Sequence, residues 1–378
     1  MKVLFVLNNI YAKGNGLSTS ARRTVAALRD AGVEVKVLSG PNPDPDGPQP
    51  EYCLKEFKIP FFQPLLRAHG YSFASTDVKL VEEAVGWADV VHMEEPFVLE
   101  IRACKIARRL GKPITGTYHL HPENIFFSLL FKDSYLPNHW MLMAWRNLCF
   151  NKWDIVQCPT GNVMARLKAN GFTSEPRLIS NGVVPDSCIR KPREEGPFRL
   201  CCIGRISGEK DQKTLLEAMQ YSVHAKHIRL VFAGKGPQGR KIKRMAHALY
   251  RKGVLAYDPE FVFLDRDGLR KLAASSDLCI HCATVEVEGL SIMEAMQQGA
   301  VPVIASGPIT GADQFALDER SRFRQRDAHE LARKIDAWLD SPQELEAARS
   351  RYVREMEEYA IQRSVEKLIQ MFEDALNA

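Results

Sequence analysis

The sequence predicts an α/β protein built as two Rossmann-like, doubly wound parallel-sheet domains facing a cleft. Three observations predict it. Strand-sized apolar runs alternate with amphipathic helical stretches along nearly the whole chain, the pattern of βαβ units and parallel sheets. The alternation breaks at a Pro- and Gly-rich stretch, 181–197, and then starts again. At 378 residues the chain exceeds one ordinary core, so two domains of roughly 150–200 residues are expected.

The first half opens with an apolar run at 2–7, a loop holding Gly14 and Gly16, a helical pattern over 18–31 closed by Gly32, and a strand at 33–38. A Pro/Asp/Gly-rich loop fills 42–49. Helices are then expected at 76–86 and 98–110, with strands at 89–93 and 113–118. A weaker strand at 154–158 and a helix at 160–170 complete this half. The second half has strands at 198–203, 228–233, 260–264, 278–282 and 301–305 with helices between them. The polar tail from 342 onward carries helical periodicity at Val365, Leu368, Ile369, Phe372 and Leu376 and reads as two outer helices. In such domains ligands gather at the carboxyl ends of the strands.

Composition narrows the function. No apolar run is long enough to cross a membrane. The opening MKVLFVLNN is too short an apolar region for a signal peptide, so a cytoplasmic address is expected. The nine cysteines fall mostly in strand-like text, and Cys279-Ile-His-Cys282 has no second ligand pair. They read as buried thiols in a reducing compartment. The net charge of +5 is spread over both halves; it points to no nucleic acid but suits anionic ligands or an anionic membrane surface. Two stretches fit such a surface: 137–153, with Trp140, Trp145, Phe150 and Trp153 beside Arg146 and Lys152, and the cationic 240–252. Core packing for the first stretch and a solvated face for the second are the simpler readings.

Four motifs carry chemistry. In Glu286-Val-Glu-Gly-Leu-Ser-Ile-Met-Glu294-Ala-Met-Gln-Gln-Gly299 a strand runs through a loop into a helix expected to begin at Ser291. Ser291 and Glu294 have the spacing of a capping box. The same spacing leaves amides at Gly289–Ile292 to hold a diphosphate, with Glu286 placed to accept from vicinal sugar hydroxyls. In Gly204-Arg205-Ile-Ser-Gly-Glu-Lys210 a strand ends in glycine and two cations follow five residues apart, the charge a departing diphosphate needs. Gly234-Lys-Gly236-Pro237 is a strand-to-helix turn, and Gly16 lies in the first such turn of the chain. His119-Leu-His121-Pro-Glu123 closes a strand, a position that also admits a zinc reading from period-two spacing. His92, at another strand end, reads equally as a packed or a site residue.

These blocks resemble the signatures of the retaining family 4 glycosyltransferases (glycosyl transferases group 1) of GT-B architecture, bacterial members included. Glu286, Gly289, Glu294, Ala295 and Gly299 match in place, whereas Pro302 and Val303 stand one residue further on, and Glu288 replaces the commonest aromatic. The resemblance implies a UDP-sugar donor, no metal or other cofactor, and a saccharide or lipid acceptor. It implies that Arg205 and Lys210 clamp the diphosphate, that Glu286 contacts the donor sugar and Glu294 the ribose, and that Leu290 and Ser291 present amides to the phosphates. Gly204, Gly234 and Gly236 would line the nucleotide, Gly16 a phosphate or the acceptor, and His119 the donor sugar near its C6 hydroxyl. His121 and Glu123 would lie on the acceptor side. Residues 1–185 would form the acceptor domain, 195–355 the nucleotide-sugar domain, and 356–378 a C-terminal helix packing back on the first. The 119–124 segment and 61–74 also resemble members near the glucosyl-diacylglycerol synthases. A UDP-sugar 2-epimerase and a non-catalytic sugar-nucleotide-binding protein share enough of this pattern to stand as alternatives.

Overall fold

The computed structural model describes residues 1–12, 14–57, 72–126, 135–190 and 195–378; most of the 61–74 phrase lies outside them. The chain divides into two compact units, Met1–Gly182 with Ile361–Ala378, and Val183–Ala360. The expected linker therefore joins the second unit from Val183 onward.

The first unit contains β1 (Lys2–Val6), α1 (Gly16–Asp30), β2 (Glu34–Ser39), β3 (Tyr52–Cys53), β4 (Glu56–Phe57), β5 (Phe73–Ala74), α2 (Val78–Trp87), β6 (Val90–Met93) and α3 (Val98–Arg109). It continues with β7 (Ile114–Thr117), α4 (Pro122–Phe126), α5 (Tyr135–Leu148), β8 (Ile155–Cys158), α6 (Gly161–Ala169) and β9 (Glu175–Leu178). Seven strands form one parallel sheet in the order β3-β2-β1-β6-β7-β8-β9; β4 and β5 make a separate antiparallel pair. Val3, Leu4, Phe5 and Val6 are all fully buried, as expected where helices cover both faces. Asn15 caps α1, accepting from the Leu17 amide, and Ala21, Val25 and Leu28 turn its apolar face to the sheet.

The second unit contains β10 (Phe198–Ile203), α7 (Gln212–Ala218), β11 (Ile228–Ala233), α8 (Gly239–Arg251), β12 (Glu260–Val262), α9 (Arg266–Ala274), β13 (Leu278–His281), α10 (Leu290–Gln297), β14 (Val301–Ser306), β15 (Arg322–Arg324), α11 (Ala328–Leu339) and α12 (Pro342–Glu358). Its parallel sheet runs β12-β11-β10-β13-β14-β15. The last helix, α13 (Ile361–Asn377), belongs to the first unit, where Phe372 packs edge-on against His92 on β6 at 5.4 Å.

Both sheets reverse their strand order once, between β1 and β6 in the first unit and between β10 and β13 in the second. At such a switch point the two loops leaving the strands diverge and open a crevice.

Candidate active site

The switch point of the second unit collects most of the expected residues. β10 hands over to Gly204, whose φ of +140° favours glycine. The loop that follows is bonded to the one after β11: the Gly204 amide donates to Ala233 O at 3.0 Å and the Ile206 amide to Lys235 O at 3.0 Å. A Cβ on Gly234 would stand 1.9 Å from Gly204 O, and one on Gly236 2.2 Å from Ile206 O. The two glycines are thus explained by backbone packed on backbone, and they fix the height of the Arg205 loop.

Arg205 pairs with Glu209 at 2.6 Å, and Ser207 donates to the same carboxylate oxygen at 2.6 Å. Burial would raise Glu209, but the Arg205 guanidinium and the Ser207 hydroxyl hold it below its ordinary range. Lys210, in the 3-10 turn Gly208–Lys210, pairs with Glu286. His281, the last residue of β13, meets the same Glu286 oxygen at 3.0 Å. Despite its burial, Glu286 is pushed well below the usual carboxylate range by Lys210 and His281. Its backbone is pinned as well, through Glu286 N to Ile309 O and Gly311 N to Glu286 O. Arg205, Lys210 and Glu286 nevertheless keep 16–25% of their side chains exposed.

The capping box is not formed. Helix α10 starts at Leu290, one residue early, with Gly289 as its N-cap at φ +95°. A left-handed glycine in the capping place frees Ser291, whose hydroxyl donates to Ile203 O at 3.3 Å. Leu290 and Ser291 are then first-turn residues, whose amides a helix cannot satisfy internally. Glu294 is half-buried on α10, and Glu288 is buried at 2% exposure.

The first unit's switch point is carboxylate-lined. Asn8, just after β1, donates to Glu95 from its backbone at 2.7 Å and from Nδ2 at 2.9 Å. Nδ2 also approaches Glu100 at 3.3 Å, while Oδ1 accepts the Ala74 amide. Burial raises both acids, Glu100 well above its usual value because Glu95 stands beside it. Next to this pair, Glu94 meets His119 at 2.5 Å and His92 at 3.3 Å. Gly16 opens α1, and a Cβ there would meet nothing within 4 Å. The zinc reading fails on geometry: His119 turns to Glu94, whereas His121 and Glu123 both bond Arg166, at 2.9 and 2.6 Å. His92 is fully buried between Thr115 and Thr117. The free thiols of Cys201 and Cys279 sit side by side on β10 and β13, and Cys282 is likewise buried and free.

Two family models match consecutive parts of the chain: Glycosyltransferase Family 4 over residues 14–187 and Glycosyl transferases group 1 over 188–356. The chain belongs to the family 4, group 1 glycosyltransferases. The glycosyltransferase is 23% identical over 322 residues to alpha-monoglucosyldiacylglycerol synthase of Streptococcus pneumoniae, covering 81% of this chain and 71% of that protein. It is 26% identical to the sulfoquinovosyl transferase SQD2 of Arabidopsis thaliana, over 80% of this chain and 59% of that one. Among solved structures, sucrose-phosphate synthase from Thermosynechococcus elongatus superposes with a TM-score of 0.75 at 16% identity, over 99% of this chain and 98% of that one. Anabaena HepE in complex with UDP and glucose gives 0.72 at 16%, over 99% and 100%. These likenesses show the GT-B fold.

Sequence reasoning missed Glu94, Glu209, His281 and Arg166. Glu209 lies inside the Arg205–Lys210 block and His281 ends a strand, so position alone could have flagged those two.

Proposed function

We propose that this glycosyltransferase moves a hexose from a UDP-sugar resembling UDP-glucose to an acceptor hydroxyl on a saccharide or glycolipid, with retention of anomeric configuration. The observation that carries the reading is the second unit's switch point, where two cations, a pinned carboxylate and a helix start converge on the carboxyl ends of β10 and β13. Arg205, Lys210 and the Leu290 and Ser291 amides balance the charge growing on the departing UDP. Glu286 accepts from hydroxyls of the transferred sugar and Glu294 from the ribose, while His119 meets the sugar near C6. Gly204, Gly234 and Gly236 shape the nucleotide's bed, and Gly16 leaves room for phosphate or acceptor. No protein nucleophile is invoked: the leaving phosphate takes the acceptor proton as the new bond forms on the same face, and the protein supplies position and charge. Lys210 must then exchange part of its bond with Glu286 for one to the phosphate. No metal is required, so EDTA should leave turnover unchanged.

The relative named for glucosyldiacylglycerol synthesis supports a lipid acceptor. Work at the inner face of the membrane in cell-envelope glycolipid or glycan synthesis follows from it. Among the described residues no helix is long and apolar enough to cross a membrane, so we propose a peripheral contact. Trp140 and Tyr135 on α5, at 74% and 73% exposure, are the aromatic residues suited to it.

The test is a screen of UDP- and GDP-sugars by thermal shift, followed by mass spectrometry with dioleoylglycerol and saccharide acceptors. UDP should raise the melting temperature and a glycosylated acceptor should appear. An epimerised sugar nucleotide without acceptor, or no response to UDP, sinks the reading.

A further inference from the structure

We infer that Glu94 is a positioning residue for His119, holding the imidazole with its Nε2 proton turned into the protein and Nδ1 as the only ring nitrogen left to a ligand. The inference rests on the proposed contact of His119 with the transferred sugar.

The proton positions follow from a buried hydrogen-bond chain read from its far end. Gln157 gives its Nε2 protons to the Ile179 and Ser180 carbonyls at 3.0 and 3.5 Å, so its Oε1 must accept, and it takes the Thr117 hydroxyl at 2.7 Å. Thr117, its proton used, accepts from His92 Nε2 at 3.0 Å. His92 Nδ1 meets the Thr115 hydroxyl at 2.9 Å. The Nε2–H of His92 is thus shared between Thr117 and the Glu94 Oε1 at 3.3 Å.

The second carboxylate oxygen lies 2.5 Å from His119 Nε2. Burial alone would raise the Glu94 carboxyl, yet the His119 and His92 contacts hold it at about 2. A bare carboxylate can only accept, so Nε2 carries the proton. Among the described residues Nδ1 has no hydrogen-bond partner. Glu94 is 2% exposed and the His119 side chain 6%, and Phe5 and Phe372 pack on His92 behind them at 4.7 and 5.4 Å. The ring has little room to turn, so Nδ1 is the nitrogen it keeps for a ligand.

Nitrogen-15 NMR of histidine-labelled protein, with the His119 signal assigned from His119→Asn, reads the tautomer directly. The proton is expected on Nε2 in the wild type, and Glu94→Leu should convert His119 to a mixture. With UDP-glucose as donor and dioleoylglycerol vesicles as acceptor, Glu94→Leu should lose ten- to a hundredfold in kcat, with the Kd for UDP unchanged. Glu94→Gln, which keeps the shape and one acceptor, should fall between and serves if the Leu variant does not fold. A wild-type proton on Nδ1 overturns the assignment, as do Glu94 variants at wild-type turnover beside an inactive His119→Ala. Wild-type turnover in His119→Ala instead overturns the sugar contact on which the inference rests.

Discussion

The two switch points share one topology and carry different electrostatics. In the second unit the strand ends deliver Arg205 and Lys210, each partly exposed and each bonded to a carboxylate whose proton affinity it lowers. In the first unit the corresponding strand ends deliver Glu94 and Glu95, with Glu100 from α3, at 2%, 6% and 0% exposure. The same fold can thus build a half-open cradle of paired charges or a dry, acid-lined floor. The difference lies in what the first residues after each strand contribute. Under the proposed function the first kind of site holds the diphosphate, while the second fixes a histidine.

The sharpest way to break this comparison is to remove the cations. Arg205→Ala and Lys210→Ala should each lower kcat by roughly 10²–10³, the scale of losing one electrostatic stabiliser of a leaving group. Melting temperatures should fall as well, because each change leaves a largely buried carboxylate, Glu209 or Glu286, without its cation, so rates are compared well below both melts. Steady-state kinetics with UDP-glucose checks it, and wild-type rates in both variants would leave the second unit without a phosphate clamp.

The glycines separate the units in a different way. Gly236→Ala drives a methyl into the Ile206 backbone, and overpacking of that kind costs about 1–3 kcal/mol. A fall of roughly 2–12 °C in melting temperature is expected, with weaker UDP binding because Ile206 follows Arg205 directly. Gly16→Ala meets open space and replaces a poor helix former by the best one. Its melting temperature should stay level or rise slightly while turnover falls. Differential scanning calorimetry beside a rate assay distinguishes the two. A Gly16→Ala enzyme of normal rate would mean that no ligand approaches the start of α1.

How much of this could be read from the chain depends on how local each signal is. The strands 198–203 and 228–233 were placed to the residue, because a parallel strand covered on both faces is a continuous apolar run. Edge strands β9 (Glu-Pro-Arg-Leu) and β15 (Arg-Phe-Arg) were missed, since a short strand with one neighbour need not be apolar. The cation pair and the two glutamates of the 286–294 block stand at fixed spacings and were legible. The expected capping box was not realised because Gly289 takes the capping position. Glu94 was illegible for a physical reason: its partner His119 is 25 residues away, in the loop beyond the end of another strand. Nothing in Met93-Glu-Glu-Pro96 itself marks two adjacent acids as buried.

The smallest expected effect is a pH effect, and its sign differs within the first unit itself. Burial and Glu95 raise the Glu100 carboxyl in the folded protein, so between the unfolded value of about 4.3 and the raised one the native state binds the extra proton. Stability from this site is therefore whole below that window and falls as pH rises through it. Glu94 has the opposite sign: its carboxyl is held at about 2, so its contribution is present above the unfolded value and is lost as pH falls toward 2. Glu100→Gln keeps a neutral side chain of the same shape at every pH. It should melt with the wild type at pH 4 and, by pH 8, on the order of 2–4 °C above it, for a change near 1 kcal/mol. Glu94→Gln should melt below the wild type at pH 8 and close to it near pH 2. Thermal melts of the three proteins from pH 4 to 8 decide the first pair, because a Glu100→Gln curve parallel to the wild type would show that the acid floor holds no proton for Glu95 and Glu100 to share.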